Sequence, residues 1–77
     1  MSEHVYKIIE IVGSSPDSWE DATKRAVQQA SKTLKDLKIA EVVEQDAKIE
    51  NGAITAYRTR LKVSFRFHDE MVHHGNA

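Results

Sequence analysis

Cysteine is absent from the 77 residues, which excludes both a disulfide framework and a thiolate zinc site. Long apolar runs are absent too, and none approaches the ~20 residues that a membrane-spanning helix requires. The opening Met1-Ser2-Glu3-His4 lacks the basic segment and apolar stretch of a secretory signal, so a soluble, cytoplasmic protein with no membrane partner is the expectation. An excess of one charge is also missing. Eleven Lys and Arg stand against twelve Asp and Glu, a formal net charge of −1, which argues against a nucleic-acid partner. A chain this short holds one domain with a small core and leans on disulfides, metals or oligomerisation for support. With disulfides excluded, self-association is the support that remains.

What is present reads as β-α-β-β. Val5 to Val12 is rich in β-branched residues and reads as a first strand, broken by Gly13-Ser14-Ser15-Pro16. A helix follows, capped either by Ser15 with Pro16 at its first position or by Ser18 with Asp21. It runs to about Lys35, with Trp19, Ala22, Ala26, Ala30, Thr33 and Leu37 forming a mostly alanine stripe anchored by Trp19. Two strands, Lys38 to Lys48 and Ala53 to Phe67, flank Asn51-Gly52, a strong type I′ hairpin signal. The fold class is therefore α+β. Its simplest sheet is three-stranded and antiparallel in the order 1-3-2, with the helix on one face. Residues 1–67 form the domain, and 68–77, without a period, read as a frayed tail.

A two-residue turn fixes the hairpin register. Glu50 faces Ala53, so Val42 faces Leu61 and Ala40 faces Val63, a bed for the helix completed by Tyr57. The other face then carries Ile39 opposite Ser64, Glu41 opposite Lys62, Val43 opposite Arg60, Gln45 opposite Arg58 and Ile49 opposite Ile54. A solvated face with cross-strand ion pairs would account for the charges. The apolar residues among them favour a protein–protein face with a polar lining, because monomers rarely expose extended apolar patches. Arg58, Arg60, Lys62 and Arg66 also form a basic stripe that a phosphate-bearing ligand could use, weakened by the glutamates between them.

The opening VYKIIEIVGSSPDSWEDA, the run IAEVVEQ (Ile39 to Gln45) and the close AYRTRLKVSF (Ala56 to Phe65) resemble the dodecin family. The resemblance implies a sheet wrapped around its helix and assembly into a hollow homododecamer with 2-3 symmetry. It also implies a non-enzymatic binding or storage role, with flavin (riboflavin or FMN) as the family ligand. In flavin-binding members a tryptophan opening the second strand stacks on the isoalloxazine ring, and a glutamine on the third strand bonds its polar edge. Those positions are Ile39 and Arg58 here, and the altered ligand pocket is expected at Ile39, Arg58 and Gln45. Ile39 offers no π-face, and Arg58 can donate hydrogen bonds but not accept them.

The sequence is also similar to a branch that lacks this tryptophan and binds calcium. Asp17 and Glu44 match positions near channel ions in relatives, which makes calcium or magnesium the expected ion of a flavin-free alternative. Some relatives bind coenzyme A at a subunit junction, a further small-molecule candidate. His4, His68, His73 and His74 form no preorganised chelate, since adjacent side chains in a loose tail do not converge. Ser14 and Ser15 read as turn and cap residues, not nucleophiles, so no catalytic residues are assigned.

Overall fold

Gly13 decides how the helix meets the sheet. In the computed structural model, which describes residues 5–66, β1 (Tyr6–Ser15) runs straight through the expected break at Gly13 and pairs with β3 as far as Ser15 opposite Tyr57. Glycine is here for close approach, not for a turn. A Cβ at this position would collide with the carbonyl oxygen of Ala22 and lie 2.8 Å from the Ala26 Cβ. The alanine stripe and Gly13 together let α1 (Trp19–Ala30) lie directly on β1 and β3, with Ala22 and Ala26 buried.

Because Ser15 still belongs to β1, it cannot cap the helix, and Ser18 does. Ser18 is extended (φ −168, ψ 163) and its Oγ accepts the Asp21 N–H at 2.9 Å. The buried Ser15 hydroxyl instead ties the connection together, accepting from the Asp17 N–H at 2.9 Å and donating to Asp21 Oδ2 at 2.6 Å.

The helix ends at Ala30, not near Lys35. The Ser31 and Thr33 hydroxyls bond the carbonyls of Gln28 and Ala30, and the Lys32 and Thr33 N–H groups take i−3 partners, closing the helix with tight turns. Leu37, expected on the helical stripe, opens β2 instead. Asp36 turns the chain with a positive φ of 58, and its carbonyl accepts the Arg66 N–H.

β2 (Leu37–Glu50) and β3 (Ala53–Arg66) form the hairpin, joined through Asn51 (φ 53) and Gly52 (φ 79), the two positive φ values of a type I′ turn. The strand order is β1-β3-β2 and every pair is antiparallel, as the hairpin signal predicts. The tail assigned to 68–77 lies outside the described residues.

The core is thin. Leu61 and Val63 on β3 pack with Ala26, flanked by Ile9, Ile11, Val27 and Leu37. Tyr6, Ile8, Val12, Ile39, Val42, Val43, Ile49 and Ile54 all stay exposed. The radius of gyration is 16.4 Å, against about 11 Å expected for a globule of this size, so the fold is an elongated slab, 59 × 22 × 13 Å. Replacing Gly13 by Ala is expected to lower unfolding stability by about 1–3 kcal/mol, because backbone must move to admit the methyl group. Urea denaturation checks this, and an unchanged midpoint would mean that the helix does not bear on β1 there.

Candidate functional site

Two compensating bulges shape the face of the sheet opposite the helix. Pairing starts from the turn as expected, with Glu50 opposite Ala53 and Ile49 opposite Ile54. It slips by one residue at Thr55 on β3, and the slip is undone at Val43 on β2, where Val42 again faces Leu61. Between the bulges every partner differs from the uniform register. Asp46, not Gln45, faces Arg58; Glu44, not Val43, faces Arg60; and Lys48, not Ala47, faces Ala56.

The physical reason lies in the side-chain alternation. A uniform ladder would turn Glu44 and Asp46 to the helix side and set Val43 against Arg60. The one-residue slip moves both acids to the outer face, opposite two arginines. A third irregularity, at Lys38, brings Leu37 opposite Phe65.

The strongest ion pair of the face results. Arg58 Nε and Nη2 donate to Asp46 Oδ1 and Oδ2 at 2.7 and 2.8 Å, a bidentate fork, while Arg60 Nε reaches Glu44 Oε1 at 3.3 Å. The Arg58 fork holds the Asp46 carboxyl below its ordinary value and in turn raises Arg58. Asp46 also receives the helix, because Trp19 Nε1 donates to its carbonyl at 2.8 Å. Trp19 is not sunk into the core as its place in the stripe suggests. It remains 36% exposed, edge-on to Tyr57 with ring centroids 4.9 Å apart, and clamps the start of the helix to the hairpin.

The residues expected to line a ligand pocket do not share one place. Ile39 and Arg58 lie on the outer face, as expected, with Ile39 66% exposed beside Ser64. Six residues of β3 separate their rungs, about 20 Å, so one chain cannot bring both to a single small ligand. Gln45 is a correction. The slip at Val43 puts it opposite Thr59, whose hydroxyl bonds the Trp19 carbonyl, and therefore on the helix side of the sheet. Asp46 was not expected as the partner of Arg58. Its signal was present as the alternating acids Glu44-x-Asp46 facing the alternating bases Arg58-x-Arg60.

The two expected metal ligands are the loosely held acids. The Asp17 side chain is 73% exposed and 3.9 Å from Arg25, and Glu44 is 62% exposed with its single contact to Arg60. Asp21, by contrast, is bound to Ser15 and to Arg25 Nε at 2.6 Å each, and the Ser15 bond chiefly holds its carboxyl below the ordinary value. Among the described residues no three His, Asp or Glu side chains of one chain converge on a point. The four histidines lie outside those residues.

The family model described as Dodecin matches residues 5–68. The chain belongs to the dodecin family. It is 45% identical to the calcium dodecin of Mycobacterium tuberculosis over 62 residues, covering 80% of this chain and 87% of that protein. The structure of that calcium dodecin aligns with a TM-score of 0.75 at 46% identity, covering 83% of this chain and 91% of that one. The dodecin of Streptomyces coelicolor aligns with a TM-score of 0.84 at 40% identity, covering 88% and 97%. The dodecin of Thermus thermophilus is 37% identical over 65 residues, 84% of this chain and 94% of that protein. The bulged three-stranded sheet around one helix is thus a dodecin fold, and no helix among the described residues is long and apolar enough to cross a membrane.

Asp21 and Asp46 both ionise more readily in the folded chain than at the ordinary 3.8, so their contribution to stability is complete above that value. It is lost as pH falls through 3.8 toward the lower folded values. Melting curves between about pH 5 and about pH 3 should fall less steeply for Asp21→Asn and for Asp46→Asn than for the native chain. Parallel slopes would mean that these carboxyls keep their ordinary values.

Proposed function

We propose that the chain assembles into a non-enzymatic homododecameric cage that binds divalent cations, calcium or magnesium, at subunit junctions and does not stack flavin. One observation carries this reading: the outer face presents Ile39 where flavin-binding relatives stack an aromatic ring, and its arginine at 58 is already held by Asp46. The ring would lose a stacking contribution of about 0.5–1.5 kcal/mol, and its polar edge would lose an acceptor.

The cation side rests on the carboxylates. Hard divalent ions take six to eight oxygen ligands, and no such set forms within one chain among the described residues. Asp17 and Glu44, exposed and weakly tied, are free to turn toward an ion, whereas Asp21 and Asp46 are engaged at 2.6–2.8 Å. Symmetry would supply the remaining ligands from other copies. The exposed apolar residues of the slab support the same assembly, because a stable monomer has no means of covering them.

Light scattering should give twelve chains of 8.7 kDa, about 104 kDa. The purified protein should be colourless and should leave micromolar riboflavin fluorescence unquenched. Calorimetric titration with calcium should show binding that Asp17→Asn and Glu44→Gln each weaken by roughly tenfold, the effect of losing one charged ligand. A monomeric mass, or a yellow protein, would overturn the proposal. Ile39→Trp should introduce riboflavin quenching if the pocket shape survives.

A further inference from the structure

Arg58 and Arg60 project from the same face of β3 two residues apart, about 7 Å, a spacing suited to two linked phosphoryl groups. In the native chain this pair is closed. Asp46 takes the Nε–Nη2 edge of Arg58 at 2.7 and 2.8 Å and neutralises its charge, and Glu44 holds Arg60 at 3.3 Å. The hollow bounded by these four side chains and Val12 measures about 50 Å³, room for a water molecule or two and no more. The two contacts are unequal. Arg60 is held by one long bond and could turn to a ligand, whereas Arg58 is held by two short charge-assisted bonds. Asp46 is itself fixed from behind by the Trp19 indole on its carbonyl, so its carboxylate is aimed at Arg58 by the backbone.

We infer that Asp46 sets the ligand charge preference of the outer face: it latches Arg58 and so closes a latent site for phosphate-bearing anions built by Arg58 and Arg60. The bulges at Thr55 and Val43 are what deliver the latch, since uniform pairing would place the neutral Gln45 opposite Arg58 and turn Asp46 away. Asp46 acts as a positioning and specificity residue and touches no ligand. The inference stands on the sheet face alone and is independent of the cation reading.

The test uses the assembled protein in metal-free buffer with inorganic pyrophosphate as probe, followed by calorimetry. Asp46→Asn keeps the side chain's size and its backbone anchor but releases Arg58. It should bind pyrophosphate at least about tenfold more tightly than the native protein, the worth of one released charge-assisted contact. The double variant Asp46→Asn with Arg58→Gln should lose that gain. Glu10→Gln removes a carboxylate from the same face, opposite Lys62 and two residues along β3 from Arg60, and changes net charge by the same amount. It should gain little. An equal gain from Glu10→Gln, or none from Asp46→Asn at unchanged mass, overturns the latch. Should Asp46→Asn fail to assemble, proton exchange at Arg58 Nε in the native protein decides. Protection relative to free arginine supports the latch, and exchange at the free rate overturns it. Calcium titrations of the same samples report on the cation reading separately.

Discussion

One helix of 12 residues has to cover a hairpin whose strands are 14 residues each. The helix is about 18 Å long and each strand about 46 Å, so most of the sheet has no partner within its own chain. Everything else follows from that shortage. The helix lies close to the sheet because Gly13 and the alanines permit it, and a close, narrow contact buries few large side chains. The core reduces to Leu61, Val63 and their neighbours, and apolar residues on both faces are left in the open. A slab of this kind leaves much of its apolar surface uncovered by its own chain.

Asp46 is where the two halves of the chain are joined. Its carbonyl takes the Trp19 indole from the helix side, and its carboxylate takes the Arg58 fork on the other. A single residue thus registers the start of the helix against the hairpin and pairs with Arg58 on the outer face. The Ser15–Asp21–Arg25 cluster does the equivalent work at the other end of the same connection, tying the end of β1 to the first turn of the helix. Neither carboxylate is well buried, so their value lies in fixing geometry more than in raw stability.

Most of the fold was legible in the sequence because its signals are local. Asn51-Gly52 gave the hairpin, the period of the alanines gave the helix, and β-α-β-β order left one simple sheet. The early helix end is a local effect of the Ser31 and Thr33 hydroxyls, and the other misplacements come from interactions that span the chain. Gly13 looked like a break because glycine's other use, admitting a helix backbone, requires knowing where the helix lies. Ser15 and Ser18 are equal caps until the strand claims one of them. The register failed between Val43 and Thr55 because a uniform ladder assumes that every residue is paired. The bulges at Thr55 and Val43 cancel, so the pairing at the turn and from Val42 to Ile39 matches a uniform ladder and does not betray them. Gln45 went to the wrong face and Asp46 was not set against Arg58 for that reason.

The same bulges decide which side chains the outer face presents. The bulges put position 46 opposite Arg58, so the side chain there decides how that arginine is paired. An acid at that position neutralises the arginine; a neutral residue would leave it available to anions. Ile39, opposite Ser64, lies about 20 Å away along the strand and can vary separately. Outward positions such as 39 and 46 can therefore be substituted without touching the core of Leu61, Val63 and Ala26. In this chain those positions carry an isoleucine and an Arg–Asp fork, while Asp17 and Glu44 remain exposed with one longer ion pair each.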